Sequence, residues 1–188
     1  MALVFFELIL RIMSHSPHVS RHVIEPDGRM TTMTARLDPF KAAPAQIKLW
    51  LDATTAFGPS LETSLKELVK IRASQINGCA NCLNMHAVDA RKHGETEQRI
   101  YLLSAWRDAP GFSARERAAL AWTEALTLVA TARAPDSVYA ALKAEFTEEE
   151  QVELTLLINA INGWNRLAVG FDLFYGEVAV PVREREAA

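Results

Sequence analysis

Beyond Thr147 the chain writes one long helix with hardly a polar side, and this segment constrains the fold more than any other. Thr147 and Glu150 have the spacing of a capping box, so a helix opens there and is expected to run to about Phe174. Val152, Leu154, Leu156, Leu157, Ile158, Ile161, Trp164, Leu167 and Phe171 cover most of its circumference. A helix apolar nearly all round has to be buried on all sides. In a chain of 188 residues that points to a partner subunit covering part of it.

The segments before it are also helical in period. Ile47, Trp50, Leu51, Thr54 and Phe57 form one face of a helix that starts near Pro44 and stops at Gly58-Pro59. Leu61 to Ile76 is a second helix, with Leu65, Leu68, Val69 and Ile76 on its buried side, ended by Asn77-Gly78. A third is expected from Cys79 to His93, closed by Gly94, and a short one from Glu97 to Ser104. Ser113 and Glu116 make another capping box, opening a helix to about Ala130 with the stripe Ala118, Trp122, Ala125, Val129. Asp136 to Phe146 is amphipathic. No strand-like alternation persists except over Glu177–Val182, where Pro181 limits it to an edge or tail. The expectation is an all-α domain over residues 39–188. Residues 1–38 form an N-terminal arm, poorly ordered or extraneous.

Composition narrows the partners. Apolar residues make up 49% of the chain, enough for a core. The formal net charge is −3 with acids and bases mixed, so no basic stripe supports a nucleic-acid partner. A helix-turn-helix over residues 79–104 fails on the same ground, because Arg91, Lys92 and Arg99 are offset by Asp89, Glu95 and Glu97. Met1 to Ile12 is apolar apart from Glu7, but a bilayer span needs about 20 apolar residues. It has no basic residue ahead of it and no small-residue cleavage site. It reads as an appendage or an early start, with Met13, Met30 and Met33 downstream, and no membrane partner is expected. His15, His18 and His22 sit in the arm, whose small apolar content makes it solvated chain rather than a metal site. The expected location is cytoplasmic.

The chemistry concentrates in one stretch. The chain has two cysteines, Cys79 and Cys82, too close together to staple distant segments, which points to redox or metal chemistry. Cys79 stands at a helix start, where unpaired N–H groups favour a thiolate. Cys79, Cys82 and His86 follow at i, i+3 and i+7, on one face. A histidine one turn from a thiol can take its proton and return it. Glu67 lies on the preceding helix and reaches Cys79 or His86 if the Asn77-Gly78 turn folds the two helices together. Other readings of the same residues are a zinc site and two inert core thiols. Zinc wants four ligands, and glutamate is an uncommon one in structural sites. No metal or cofactor is therefore expected.

Glu67-x11-Cys79-x-x-Cys82-x3-His86, with Asn77-Gly78 before the first cysteine and Gly94 eight residues after the histidine, resembles the AhpD (alkyl hydroperoxidase D)/carboxymuconolactone decarboxylase-like family. Residues 66–104 carry the core of the likeness, and Ile161-Asn-Gly-Trp-Asn-Arg-Leu167 is similar to the terminal helix of stand-alone members. The resemblance spans roughly residues 40–175. It implies an all-α bundle assembled as a homotrimer or homohexamer. It implies a thiol-dependent peroxidase or disulfide oxidoreductase for small organic hydroperoxides in which Cys82 attacks and becomes a sulfenic acid, Cys79 resolves it to a disulfide, and His86 and Glu67 move protons. A dithiol reductant, such as a lipoyl-bearing protein, would reduce the disulfide. The family's well-studied peroxidase has a histidine where this chain has Asn81, which hydrogen-bonds but moves no proton. The family's true decarboxylases lack the cysteine pair. Two alternatives stand beside the peroxidase: a cofactor-free lyase on a small lactone or keto acid using His86 and Glu67, and a non-enzymatic redox- or metal-responsive oligomer.

Overall fold

The computed structural model describes residues 20–24 and 30–175, with side chains from residue 34 onward. The arm is not without regular structure. β1 (Ser20–Ile24) pairs antiparallel with β2 (Met30–Thr34), from Ser20 opposite Thr34 to Ile24 opposite Met30. This corrects the expectation that strand-like pattern is confined to Glu177–Val182. Five-residue strands are too short to show alternation, but Val23, Ile24, Thr31, Thr32 and Thr34 are β-branched, and Pro26-Asp27-Gly28 between them is a turn signature. The expected edge over Glu177–Val182, the segment Met1–Ile12, and His15 and His18 lie outside the described residues.

The rest of the described chain is helical. α1 (Pro39–Ala42) is capped by Asp38, whose carboxylate accepts from the N–H groups of Phe40 and Lys41. α2 (Pro44–Thr55), α3 (Thr63–Asn77), α4 (Ala80–Lys92) and α5 (Glu97–Leu102) follow, the last continued by a 3₁₀ turn over Leu103–Ala105. α6 (Ala114–Thr127), the short α7 (Val129–Ala132), α8 (Asp136–Glu145) and α9 (Glu148–Phe171) complete the bundle. Both expected capping boxes form, Ser113 with Glu116 and Thr147 with Glu150. α3 lies at the centre, packed against α4, α6 and α9.

Three apolar clusters surround α3. One joins its Leu65 and Val69 to Leu142, Leu154 and Ile158; a second joins Leu68 and Ile71 to Leu103, Trp106 and Leu120; the third joins Ala73 to Cys79, Cys82, Ile161 and Ala168. Two expected stripe positions fall outside this core. Ile71 is buried and Ile76, in the last turn of α3, is only half-buried. Val129 is exposed because α6 stops at Thr127 and the helical register is lost before it. On α9, Val152, Leu156 and Val169 are likewise exposed, so the described chain does not cover that helix all round.

Gly163 shows how closely α2 and α9 approach. A Cβ built there would stand 2.5 Å from Cζ2 of Trp50, itself tilted against Trp164 at 6.2 Å between ring centroids. Replacing a mid-helix glycine by alanine ordinarily stabilises by about 1 kcal/mol. Here the sign is expected to reverse. Gly163→Ala forces Trp50 aside at about 1–3 kcal/mol, read as a Tm lower by roughly 2–12 °C.

Candidate functional site

The site is built where α3 turns into α4. Gly78 caps α3 in the left-handed region, at φ 65° and ψ 31°, where a side chain would be strained. Its N–H and that of Cys79 return to carbonyls in the last turn of α3. The chain thereby reverses within two residues, and residues 19 apart meet: His86 Nδ1 lies 2.9 Å from Glu67 Oε2.

Cys79 is not the first residue of α4 but its N-cap. Its Sγ accepts the N–H of Cys82 at 3.4 Å, the place usually taken by a serine, threonine or aspartate oxygen. Both cysteines are free and almost fully buried. Cys79 is lowered to about 7, first by the S–H that Cys82 donates to it. Burial opposes this, while the Cys82 N–H, the Asn165 amide and the Asn81 N–H add to it. Cys82 is pushed up, first because it is that donor and then by burial and the negative charge of Cys79. The hydrogen bond between them thus favours the thiolate on Cys79 over one on Cys82. Thiolate ultraviolet absorbance is expected to show one thiolate with a midpoint near pH 7, lost in Cys79→Ser; a first midpoint near 9 would contradict the capped geometry. Because the folded value is the depressed one, this group's stability contribution is complete above pH 9 and is lost as pH falls through 7.

A polar network from α9 backs the thiols. Asn77 Nδ2 donates to Asn162 Oδ1 at 2.9 Å and to Asn165 Oδ1 at 2.8 Å, and Asn165 Nδ2 donates to Ser74 Oγ at 3.0 Å. Asn162 and Asn165 are buried on a helix otherwise apolar at that depth. Hydrogen bonds from Asn165 favour the thiolate form of either cysteine.

On the other side of His86 stands Glu67. Its Oε1 accepts from Lys70 Nζ at 2.7 Å, so both carboxylate oxygens are engaged. Burial alone would push this carboxyl up. The hydrogen bond and charge of His86, with the Lys70 ammonium, outweigh that and hold Glu67 at about 2. An ionised carboxylate only accepts, so His86 Nδ1 carries the hydrogen of this bond, and in the neutral ring Nε2 has the lone pair.

Two cavities meet the imidazole. One, of about 60 Å³, is walled by Phe40, Asn81, Cys82, Met85, His86, Trp164 and Tyr175 with neighbouring aliphatic side chains. The other, of about 220 Å³, is lined by Lys66, Glu67, Lys70, His86, Asp89 and His93 among others, and by neither cysteine. The Asn81 Oδ1 accepts the backbone N–H of Tyr175 at 2.7 Å, tying down the chain after α9.

The structure therefore brings together the four residues singled out in the sequence, Cys79, Cys82, His86 and Glu67. It adds Asn165, Lys70 and Tyr175 around them. Asn165 had a signal, a polar residue on the most apolar helix. Tyr175 had none, lying almost a hundred residues from Cys82. Among the described residues no group of three or more His, Cys, Asp or Glu side chains is arranged to hold a metal ion, and no helix is long and apolar enough to cross a membrane.

A helical bundle presenting a Cys-x-x-Cys-x3-His helix to a buried glutamate is the architecture of AhpD-like proteins. The comparisons agree: the carboxymuconolactone decarboxylase family model matches residues 43–125. The uncharacterized protein YdfG of Bacillus subtilis is 44% identical over 138 residues, 73% of this chain and 94% of that one. The chain belongs to the carboxymuconolactone decarboxylase family and is AhpD-like in fold. It is similar at 42% identity and a TM-score of 0.73 to a crystal structure of a protein of unknown function from Agrobacterium tumefaciens, for which a role as the antioxidant defence protein AhpD has been suggested. That match covers 77% of this chain and 100% of the other. The debrominase Bmp8, seen in complex with 2,3,4-tribromopyrrole, shares the fold at 19% identity and a TM-score of 0.62, over 71% of this chain and 72% of its own.

Proposed function

We propose that the protein is a thiol-dependent peroxidase that reduces small organic hydroperoxides through Cys79 and Cys82. The observation that carries this reading is a pair of free, buried thiols joined at the start of α4, one member of which, Cys82, shares a cavity wall with His86. Cys82 passes its proton to the Cys79 thiolate and attacks the peroxide. An S–O bond forms, the O–O bond breaks, and the alkoxide leaves with the electron pair, leaving a sulfenic acid on Cys82. His86, held in its tautomer by Glu67, relays one proton from solvent to the alkoxide. Cys79 then attacks the sulfenic sulfur, water leaves, and a Cys79–Cys82 disulfide remains.

A dithiol of the lipoyl class reduces that disulfide by exchange, on a partner protein or free. Assembly as a homotrimer or homohexamer belongs to the same reading, supported by the exposed Val152, Leu156 and Val169 on α9. The test is consumption of cumene hydroperoxide with dihydrolipoamide as reductant. Repeated turnover is expected; peroxide left unconsumed at thiol concentrations that keep both cysteines reduced would refute it.

A second reading has its own observation. The larger cavity reaches Glu67 and His86 without touching a cysteine, which suits acid–base chemistry on a small lactone or keto acid. It predicts an activity that survives replacement of both cysteines by serine.

A further inference from the structure

We infer that Tyr175 is a substrate-contacting residue of the thiol site, its phenolic hydroxyl donating a hydrogen bond to the peroxide held beside Cys82. The inference rests on the peroxidase reading above.

Three observations carry it. First, Tyr175 forms part of the cavity wall that includes Cys82 and His86. Second, its position is built. Its backbone N–H is held at 2.7 Å by the side chain of Asn81, the residue next to Cys82, and its ring stands edge-on to Phe40, another wall residue, at 84° and 6.3 Å. Third, among the described residues its hydroxyl is the one buried side-chain nitrogen or oxygen with no hydrogen-bond partner. Such a group is costly to bury unless something satisfies it, and a bound ligand is one of the few ways to do so.

The other polar side chains of the wall each have one end fixed, and the Asn81 amide also reaches Cys82. Asn81 Oδ1 holds the Tyr175 backbone, and His86 Nδ1 holds Glu67. The remaining wall is largely aliphatic and aromatic carbon with the Met85 thioether. Burial first, and then the charge of Asp38, raise the phenol to about 12, so across the physiological range it is a donor and not an anion. In the attack, the S–O bond forms as the O–O bond breaks, and the departing oxygen gains negative charge. The phenol steadies that charge by a hydrogen bond. It gives up neither proton nor electron, the proton arriving through His86. Asn81, which cannot move a proton, instead positions a donor: its amide oxygen holds the tyrosine carried in on the segment after α9.

Tyr175→Phe removes the hydroxyl and keeps the ring. The expected result is a kcat for cumene hydroperoxide lower by roughly 10–100-fold, with Tm unchanged or raised. Cys82 alkylation by iodoacetamide should keep its wild-type rate, since iodide leaves without needing a donor. Unchanged peroxide turnover overturns the inference. So does a lowered Tm with activity retained, which would make the hydroxyl structural. An equal fall in peroxide and iodoacetamide rates also overturns it, because the tyrosine would then act only on the thiol. A wild-type protein inert to peroxide removes the peroxidase reading itself, and this inference with it.

Discussion

Cys82→Ser is expected to abolish peroxide turnover, a loss of roughly 10³-fold or more that leaves only the background reaction. The structure divides the two thiols in opposite directions, which makes the paired variants informative. Cys79, whose thiolate form is the favoured one, caps α4 but lines neither of the cavities described, whereas Cys82, which donates to it, lines the smaller cavity. Access decides between them, since attack needs the peroxide oxygen in line with the sulfur and a proton can move between touching thiols. Cys79→Ser should therefore keep the first half of the cycle. One equivalent of peroxide leaves a sulfenic acid on Cys82 that dimedone labels, and no disulfide follows. Dimedone labelling confined to Cys79 in the Cys82→Ser protein would reverse the two roles.

The second large effect is expected at Glu67. Its carboxylate is buried with Lys70 at 2.7 Å and His86 at 2.9 Å, and removing one member of a buried charged group leaves the others uncompensated. Glu67→Gln should lower stability at neutral pH by about 3 kcal/mol and Tm by roughly 6–12 °C. The pH dependence gives an independent check. Glu67 sits at about 2 in the folded chain against an ordinary 4.5, a depression worth about 3 kcal/mol. A depressed carboxyl contributes fully above 4.5 and loses its contribution as pH falls from there through 2. Urea unfolding at fixed protein concentration should show wild type and Glu67→Gln converging across that window. A gap that stays constant would mean that the charge of Glu67 does not carry the effect. Catalysis should fall as well, because a glutamine amide can turn its NH₂ toward His86 and no longer selects the tautomer.

Most of the helical scaffold was legible in the sequence, for local reasons. Capping boxes at Ser113 and Thr147 and the Asn77-Gly78 break are short-range devices whose chemistry is complete within a few residues, and each stands where it was read. The candidate site was legible to the same depth. Cys82 and His86 share α4 with Cys79 at its N-cap, and Glu67 needed only the turn at Gly78 to reach His86.

What the sequence concealed depends on contacts between distant segments. The buried amides Asn162 and Asn165 make sense only once Asn77 and Ser74 stand opposite them. Asn81 looked like a lost proton carrier until the Tyr175 backbone was found on its oxygen. The split between the thiols depends first on the hydrogen bond from Cys82 to Cys79 and then on burial and the α4 N–H groups that point to Cys79, and spacing does not encode that. The β1–β2 pair was missed because neither strand is long enough for its pattern to rise above its neighbours.

The central claim is that Cys79 and Cys82 act as one two-electron unit on a peroxide. The most direct measurement is a thiol count by alkylation and mass spectrometry, before and after one equivalent of cumene hydroperoxide. The account predicts two free thiols before and none after, with Cys79 and Cys82 joined in a single disulfide-linked peptide. Two thiols still free after the peroxide would contradict it.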